Sequence, residues 1–237
     1  MGTRKVATFI NSRDKVILLI GPTGSWKSSF INGVGQGDVA PVTNSVHPCT
    51  KVITAYRITS PDLDTSPVVL VDTPGFGTEN VFDVYGRVVE WLQDTRIDKV
   101  SAIIFFFNIT DNRFTNEDSK AWTMLEPFCG EEGIHTAVTV LTTQWHEYEK
   151  QKNMYDTRED QLKKKFMAGC RYKRLNCPGE PATAFTITRE VVQVSPGCKL
   201  HVMSQMAEGQ LYSQTDLGAA GEAAKKKEKG LHKLFSR

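Results

Sequence analysis

Lys15-Val16-Ile17-Leu18-Leu19-Ile20-Gly21-Pro22-Thr23-Gly24-Ser25-Trp26-Lys27-Ser28-Ser29 is the stretch that decides the fold. Its first six residues, apolar after the lysine, make the continuous run that a strand buried on both faces of a parallel sheet requires. A turn with two glycines follows, and Lys27-Ser28-Ser29-Phe30-Ile31-Asn32 opens a helix. Strand, glycine turn and helix in that order build a phosphate cradle. Successive backbone N–H groups curl around the anion while the helix offers its positive N-terminal end. The lysine reaches the outer phosphates and the next Ser holds Mg²⁺. The expected phosphate-site residues are therefore Gly21, Thr23, Gly24, Ser25, Trp26, Lys27, Ser28 and Ser29. Trp26 departs from the pattern, which places glycine before the lysine because any Cβ crowds the phosphates there. Two readings stay open: the indole swings outward and leaves the cradle usable, or it fills the phosphate pocket and weakens nucleotide binding.

Further along, Val68-Val69-Leu70-Val71 is a second buried strand that ends in Asp72-Thr73-Pro74-Gly75. In a DxxG segment so placed, the carboxylate can hold Mg²⁺ through water and the glycine N–H can bond the γ-phosphate. The metal ligands read from the sequence are Ser28, Asp72 and Thr50, which ends the irregular segment before the strand at 51–58. Thr43 and Thr54 are the alternatives to Thr50. Phe76 follows Gly75, where many nucleotide hydrolases carry a glutamine that positions the attacking water. Slow turnover is the expectation.

The remaining pattern alternates. Helical spacing appears at 81–94 (Val84, Val88, Trp91, Leu92), and 100–109 is a buried strand. Residues 115–128 read as a helix with Thr115 as N-cap and Glu117 and Asp118 in its first turn. Residues 137–141 are a further buried strand, 146–174 a charged helix, and 182–188 a last strand. Alternating strands and helices predict an α/β, three-layer P-loop fold, with a mostly parallel central sheet, helices on both faces and ligand at the carboxyl ends of the strands. The organisation expected is an N-terminal segment over 1–13, one domain over 14–195, and a basic C-terminal tail over 196–237 with helical spacing.

Composition excludes several classes. The chain has 237 residues, 40% hydrophobic and 24% charged, with a formal net charge of +2. No run is long and apolar enough to span a bilayer, and residues 1–5 are not composed as a signal peptide. Five cysteines without a CxxC pair argue against structural zinc and a disulfide framework, so a reducing, cytoplasmic setting is expected. Lys225-Lys226-Lys227-Glu228-Lys229 with Leu231, Leu234 and Phe235 has the composition of a segment that touches acidic membranes or a partner. A solvated helix end is the plainer reading. No aromatic and basic interleaving suggests a nucleic-acid partner.

Together the motifs resemble a known group. The segment 21–32, the Cys49-Thr50 step and Val69-Leu70-Val71-Asp72-Thr73-Pro74-Gly75-Phe76-Gly77 look like the septin and immune-associated (GIMAP/Toc34) branch of P-loop GTPases. Fungal G-domain-containing proteins are the closer match, through Ser101-Ala102-Ile103-Ile104, Ile109-Thr110-Asp111-Asn112-Arg113 and Val140-Leu141-Thr142-Thr143-Gln144-Trp145. The resemblance covers about residues 13–175. It implies a Ras-like G domain that binds GTP or GDP with Mg²⁺ and pairs as a homodimer through its nucleotide face. It also implies that Thr142-Thr143-Gln144-Trp145 stands for the base-reading (N/T)KxD motif, with Thr143 and Trp145 at the base and no carboxylate where guanine is normally read. Residues 186–189 are the candidate for the last base loop.

Overall fold

The computed structural model describes residues 3–6, 9–42, 52–60, 63, 66–77, 79–111, 115–145, 147–166, 169–177 and 181–235. A seven-stranded sheet runs β1 (Thr3–Val6), β3 (Thr54–Thr59), β4 (Val68–Asp72), β2 (Lys15–Ile20), β6 (Ala102–Asn108), β7 (Val138–Thr143), β8 (Arg171–Arg174) in spatial order. The pairs from β4 through β8 are parallel, while β3 and then β1 add antiparallel at one edge.

The uninterrupted apolar runs have a simple cause. Successive residues of a strand face opposite sides, and both sides here are covered. Leu18, Ile20, Val69, Val71, Ile103 and Phe105 face one core, shared with α2 (Val81–Asp94), α3 (Asn116–Thr123) and α4 (Leu125–Cys129). Ile17, Leu19, Val68, Leu70, Ile104 and Phe106 face the other, under α1 (Lys27–Gly35) and α7 (Pro181–Val194). The predicted α/β class, with helices on both faces of a mostly parallel sheet, is the observed one.

Local readings fare unevenly. The helix predicted over 81–94 is α2 itself, capped by the Asn80 side chain, which accepts from Phe82 N. Thr115 caps α3 in a capping box: its Oγ1 accepts from Asp118 N at 3.0 Å, and the Asp118 carboxylate accepts from Thr115 N at 3.0 Å. The helix expected to continue to Phe128 breaks at Met124, with α4 beyond it.

Three predictions are corrected. The strand over 100–109 is two: β5 (Lys99–Val100) leaves the main sheet to pair with β9 (Cys198–Lys199), and Ser101 N donates to Val16 O at the break. The charged helix over 146–174 stops with α6 (Tyr148–Phe166), and its last four residues form strand β8. The strand over 182–188 lies inside α7. Ala184, Ile187, Thr188 and Val191 are buried there at helical spacing, so packing against α1 overrides the β-branched composition. Residues 186–189 are therefore helix and not a base loop.

Beyond Pro196 the chain forms β9, which packs against α5 (Glu131–Ala137), and then two more α-helices, α8 (His201–Ala207) and α9 (Asp216–Phe235). Leu200, Val202 and Leu217 are buried in the first core, and Lys225 Nζ pairs with Asp83 at the start of α2 at 2.9 Å. Among the described residues no helix is long and apolar enough to cross a membrane.

Candidate functional site

The phosphate end is assembled where β2 and β4 stop side by side. Thr73 leaves β4 with its Oγ1 donating to Leu19 O at 2.6 Å, which ties the segment after Asp72 to the strand feeding the P-loop. The two loops then touch directly. Thr23 N donates to Phe76 O at 2.9 Å and Thr23 Oγ1 to Gly75 O at 3.1 Å. A Cβ on Gly75 would stand 2.5 Å from Thr23 Cα and N, so only glycine allows this approach. Phe76 is 1% exposed and packs against the Phe105 ring, so it faces the core and has no part in placing a water.

Lys27 opens α1 and folds its ammonium over the loop, donating to Gly21 O at 3.0 Å and Pro22 O at 2.8 Å. Burial lowers its pKa to about 8, against the opposing pull of Asp72. Ser28 Oγ donates to Asp72 Oδ2 at 2.8 Å. Ser25 is buried, its hydroxyl on Pro22 O, and Ser29 is half-buried on α1. Gly24 has φ +78° and faces open space. Ser28 and Asp72 offer hard oxygen ligands one hydrogen bond apart beside the buried ammonium, a donor set that fits Mg²⁺. Thr50, the third expected metal ligand, lies outside the described residues.

Trp26 adopts φ 69°, ψ 22° as the N-cap of α1, the left-handed conformation that the glycine of this motif supplies freely. A side chain there costs about 1–2 kcal/mol relative to glycine. The indole is half-buried and packs on the α1–α7 core, with Phe185 and Val192 also bordering that cluster. Burial of part of a large ring offsets a cost of this size.

The base end differs from expectation. Trp145 is 4% exposed, its Nε1 donates to Thr142 Oγ1 at 3.1 Å, and its ring lies 4.2 Å from the Arg174 guanidinium carbon. It is a core residue and cannot stack on a base. Thr143 is also buried, with Oγ1 donating to Phe107 O. The side chain that crosses to the phosphate end is Gln144, absent from the predicted set. It sits at φ 65°, donates through Nε2 to Gly24 O at 2.9 Å, and has Oε1 3.0 Å from Thr110 Oγ1. The (N/T)KxD pattern therefore slides by one residue: Thr143 takes its first place, Gln144 the lysine's, and Trp145 the spacer. The aspartate's place falls on His146, outside the described residues. Both registers begin with a threonine, so the pattern alone did not separate them.

Comparison with known proteins follows the same lines. A sequence profile of the 50S ribosome-binding GTPase family matches residues 16–143, from β2 to the end of β7. No curated protein matches the chain. Among solved structures, a dimerization-deficient Toc33 from Arabidopsis thaliana superposes with a TM-score of 0.61 at 15% identity, covering 80% of this chain and 88% of that one. Toc33 from Arabidopsis thaliana in complex with Mg²⁺ and GMPPNP gives 0.58 at 15% identity, over 78% and 88%. A point variant of Aquifex aeolicus Era bound to GDP and AlF4⁻ gives 0.57 at 15% identity, over 77% of this chain and only 57% of that one. Identities this low speak for the fold alone, whereas the profile match spans more than half of the chain. The chain belongs to the 50S ribosome-binding GTPase family and is a GTP-binding P-loop protein.

Proposed function

We propose that this protein is a Mg²⁺-dependent, guanine-nucleotide-binding switch or assembly protein that hydrolyses GTP slowly, of the septin and immune-associated branch. The observation that carries the reading is the convergence of buried Lys27, the Ser28–Asp72 pair and the Gly75–Thr23 contact at the ends of β2 and β4. In this reading Gly21 through Ser29 cradle the phosphates, Lys27 neutralises the β- and γ-phosphates, and Ser28 with Asp72 and Thr50 hold Mg²⁺. Bound Mg²⁺ would supply charge neutralisation at the phosphates. Gly75 reads the γ-phosphate, because its backbone already lies against the loop that would hold it. Binding of a nucleoside triphosphate then has to move the Gly75 segment, and α2 follows it in sequence. The buried Phe76 argues for slow hydrolysis, since no glutamine stands there.

Pairing of two copies through the nucleotide face belongs to the same proposal. Toc33 is described as a protein whose dimerization matters for its GTPase activity, and the open Gly24 turn leaves this face accessible here. A cytoplasmic location, without nucleic acid as partner, completes the reading. A second reading, a scaffold that has lost nucleotide binding, has Trp26 in its favour. Titration with fluorescent GTP, GDP and ATP, with and without Mg²⁺, followed by phosphate-release measurements, tests the proposal. Mg²⁺-dependent binding with release on the order of 10⁻³ s⁻¹ or slower is expected. Absence of MgGTP and MgGDP binding would leave the scaffold.

A further inference from the structure

Behind Gln144 lies a closed ring of contacts between β7, β8 and α6. Trp145 Nε1–H donates to Thr142 Oγ1 at 3.1 Å, the Thr142 and Tyr172 hydroxyls are 2.7 Å apart, and the Tyr172 hydroxyl donates to the Glu159 carboxylate. Each hydroxyl can accept from one neighbour and donate to the next, so the chain runs in one direction with every proton used. Arg174 closes it. Nε and Nη2 donate to the two Glu159 oxygens at 2.5 and 2.6 Å, and the same guanidinium lies over the Trp145 ring.

Glu159 is only 4% exposed and also accepts from Lys163 Nζ at 2.8 Å. Burial pushes its pKa up, but the hydrogen bonds from Arg174, Lys163 and Tyr172 outweigh that and hold it near 2. These donors favour the charged carboxylate. From the residue just before Glu159 on α6, Arg158 Nη1 donates to Ile109 O and Thr110 O, both at 2.9 Å, and the Thr110 hydroxyl is the group that meets Gln144 Oε1. One helix thereby grips the neighbours of Gln144 on both sides: Trp145 through Glu159 and Arg174, and Thr110 through Arg158. The Glu159 carboxylate is buried while the Arg174 side chain is 35% exposed, and a pair that must desolvate a carboxylate adds little stability by itself. Its location behind Gln144, which ties the β7 loop to the P-loop, gives it another use.

We propose that Glu159 and Arg174 are positioning residues of the nucleotide site, which hold Trp145 so that Gln144 keeps its bond to the Gly24 carbonyl and the P-loop keeps its binding shape. This rests on the nucleotide-binding reading above. Arg174→Lys retains a cation but loses the two-pronged contact and the stacking on Trp145. The test measures the dissociation constant of a fluorescent MgGDP, and the melting temperature, for the unaltered chain, Arg174→Lys, Gln144→Ala and the double variant. Each single variant is expected to weaken binding about threefold, with the double variant no weaker than Gln144→Ala alone. Unchanged affinity in Arg174→Lys overturns the proposal. So do losses that multiply in the double variant, because the ring would then act on the fold and not through Gln144. If Arg174→Lys fails to fold, the isosteric Glu159→Gln enters the same cycle. A chain that binds no nucleotide before any substitution removes the nucleotide reading itself, and this inference with it.

Discussion

At the phosphate end, the groups that would meet a ligand are backbone amides and three side chains, Lys27, Ser28 and Asp72, each fixed within two residues of a strand or helix end. At the base end, the only described side chain that reaches across is Gln144, and it is held from behind by Trp145, Arg174 and Glu159. The first end recognises charge through backbone shape, which many sequences can provide once a glycine turn and a lysine are set. The second depends on which side chains point where. A chain can keep the first end while the second varies, and here Gln144 stands where the motif places lysine.

Substitutions at the phosphate end should have the larger effects. Lys27→Met, which keeps length and burial but not charge, is expected to weaken MgGTP or MgGDP affinity roughly a hundredfold by calorimetry. Asp72→Asn should abolish most of the gain in affinity that Mg²⁺ confers, about tenfold, read as the ratio of dissociation constants with and without the metal. The pH dependence is a sharper probe because two slopes have opposite signs. Lys27 loses its charge as pH rises through about 8 in the folded protein, against 10.5 ordinarily. Nucleotide affinity should therefore fall up to about tenfold between pH 7 and 9. Over pH 8 to 10.5 the unfolded chain binds the proton that the empty folded site has released, so the stability of the unliganded protein rises with pH. Both slopes should vanish in Lys27→Met. At the base end, Gln144→Ala should weaken binding only about threefold, and ATP and GTP should compete nearly equally if no carboxylate reads the base. A loss of affinity in Gln144→Ala as large as that in Lys27→Met would erase the distinction between the two ends.

What could be read in advance follows the same division. The strand, glycine turn and Lys27-Ser28 were legible because backbone motifs leave a fixed spacing, and the apolar runs at 15–20 and 68–71 announced a sheet covered on both faces. Asp72 was legible for the same reason, as the end of such a run. The base end was not. Trp145 and an exposed reader have the same residue type, and only burial against Tyr155 and Arg174 separates them. The alternation around 182–188 carried β-branched residues at helical spacing, and the spacing decided the element. Gln144 could have been found by sliding the motif one place, since Thr143 satisfies its first position as well as Thr142 does.

Trp26 decides whether the cradle is open, because the backbone there already has the left-handed conformation of the missing glycine and the indole packs on the core beneath α1 and α7. The most direct measurement is calorimetric titration of MgGTP into the unaltered chain and into Trp26→Gly. Saturable binding by the unaltered chain, with affinity changed less than about tenfold by Trp26→Gly, is the result expected. Binding by Trp26→Gly alone would show that the indole closes the cradle, and an open cradle would be ruled out.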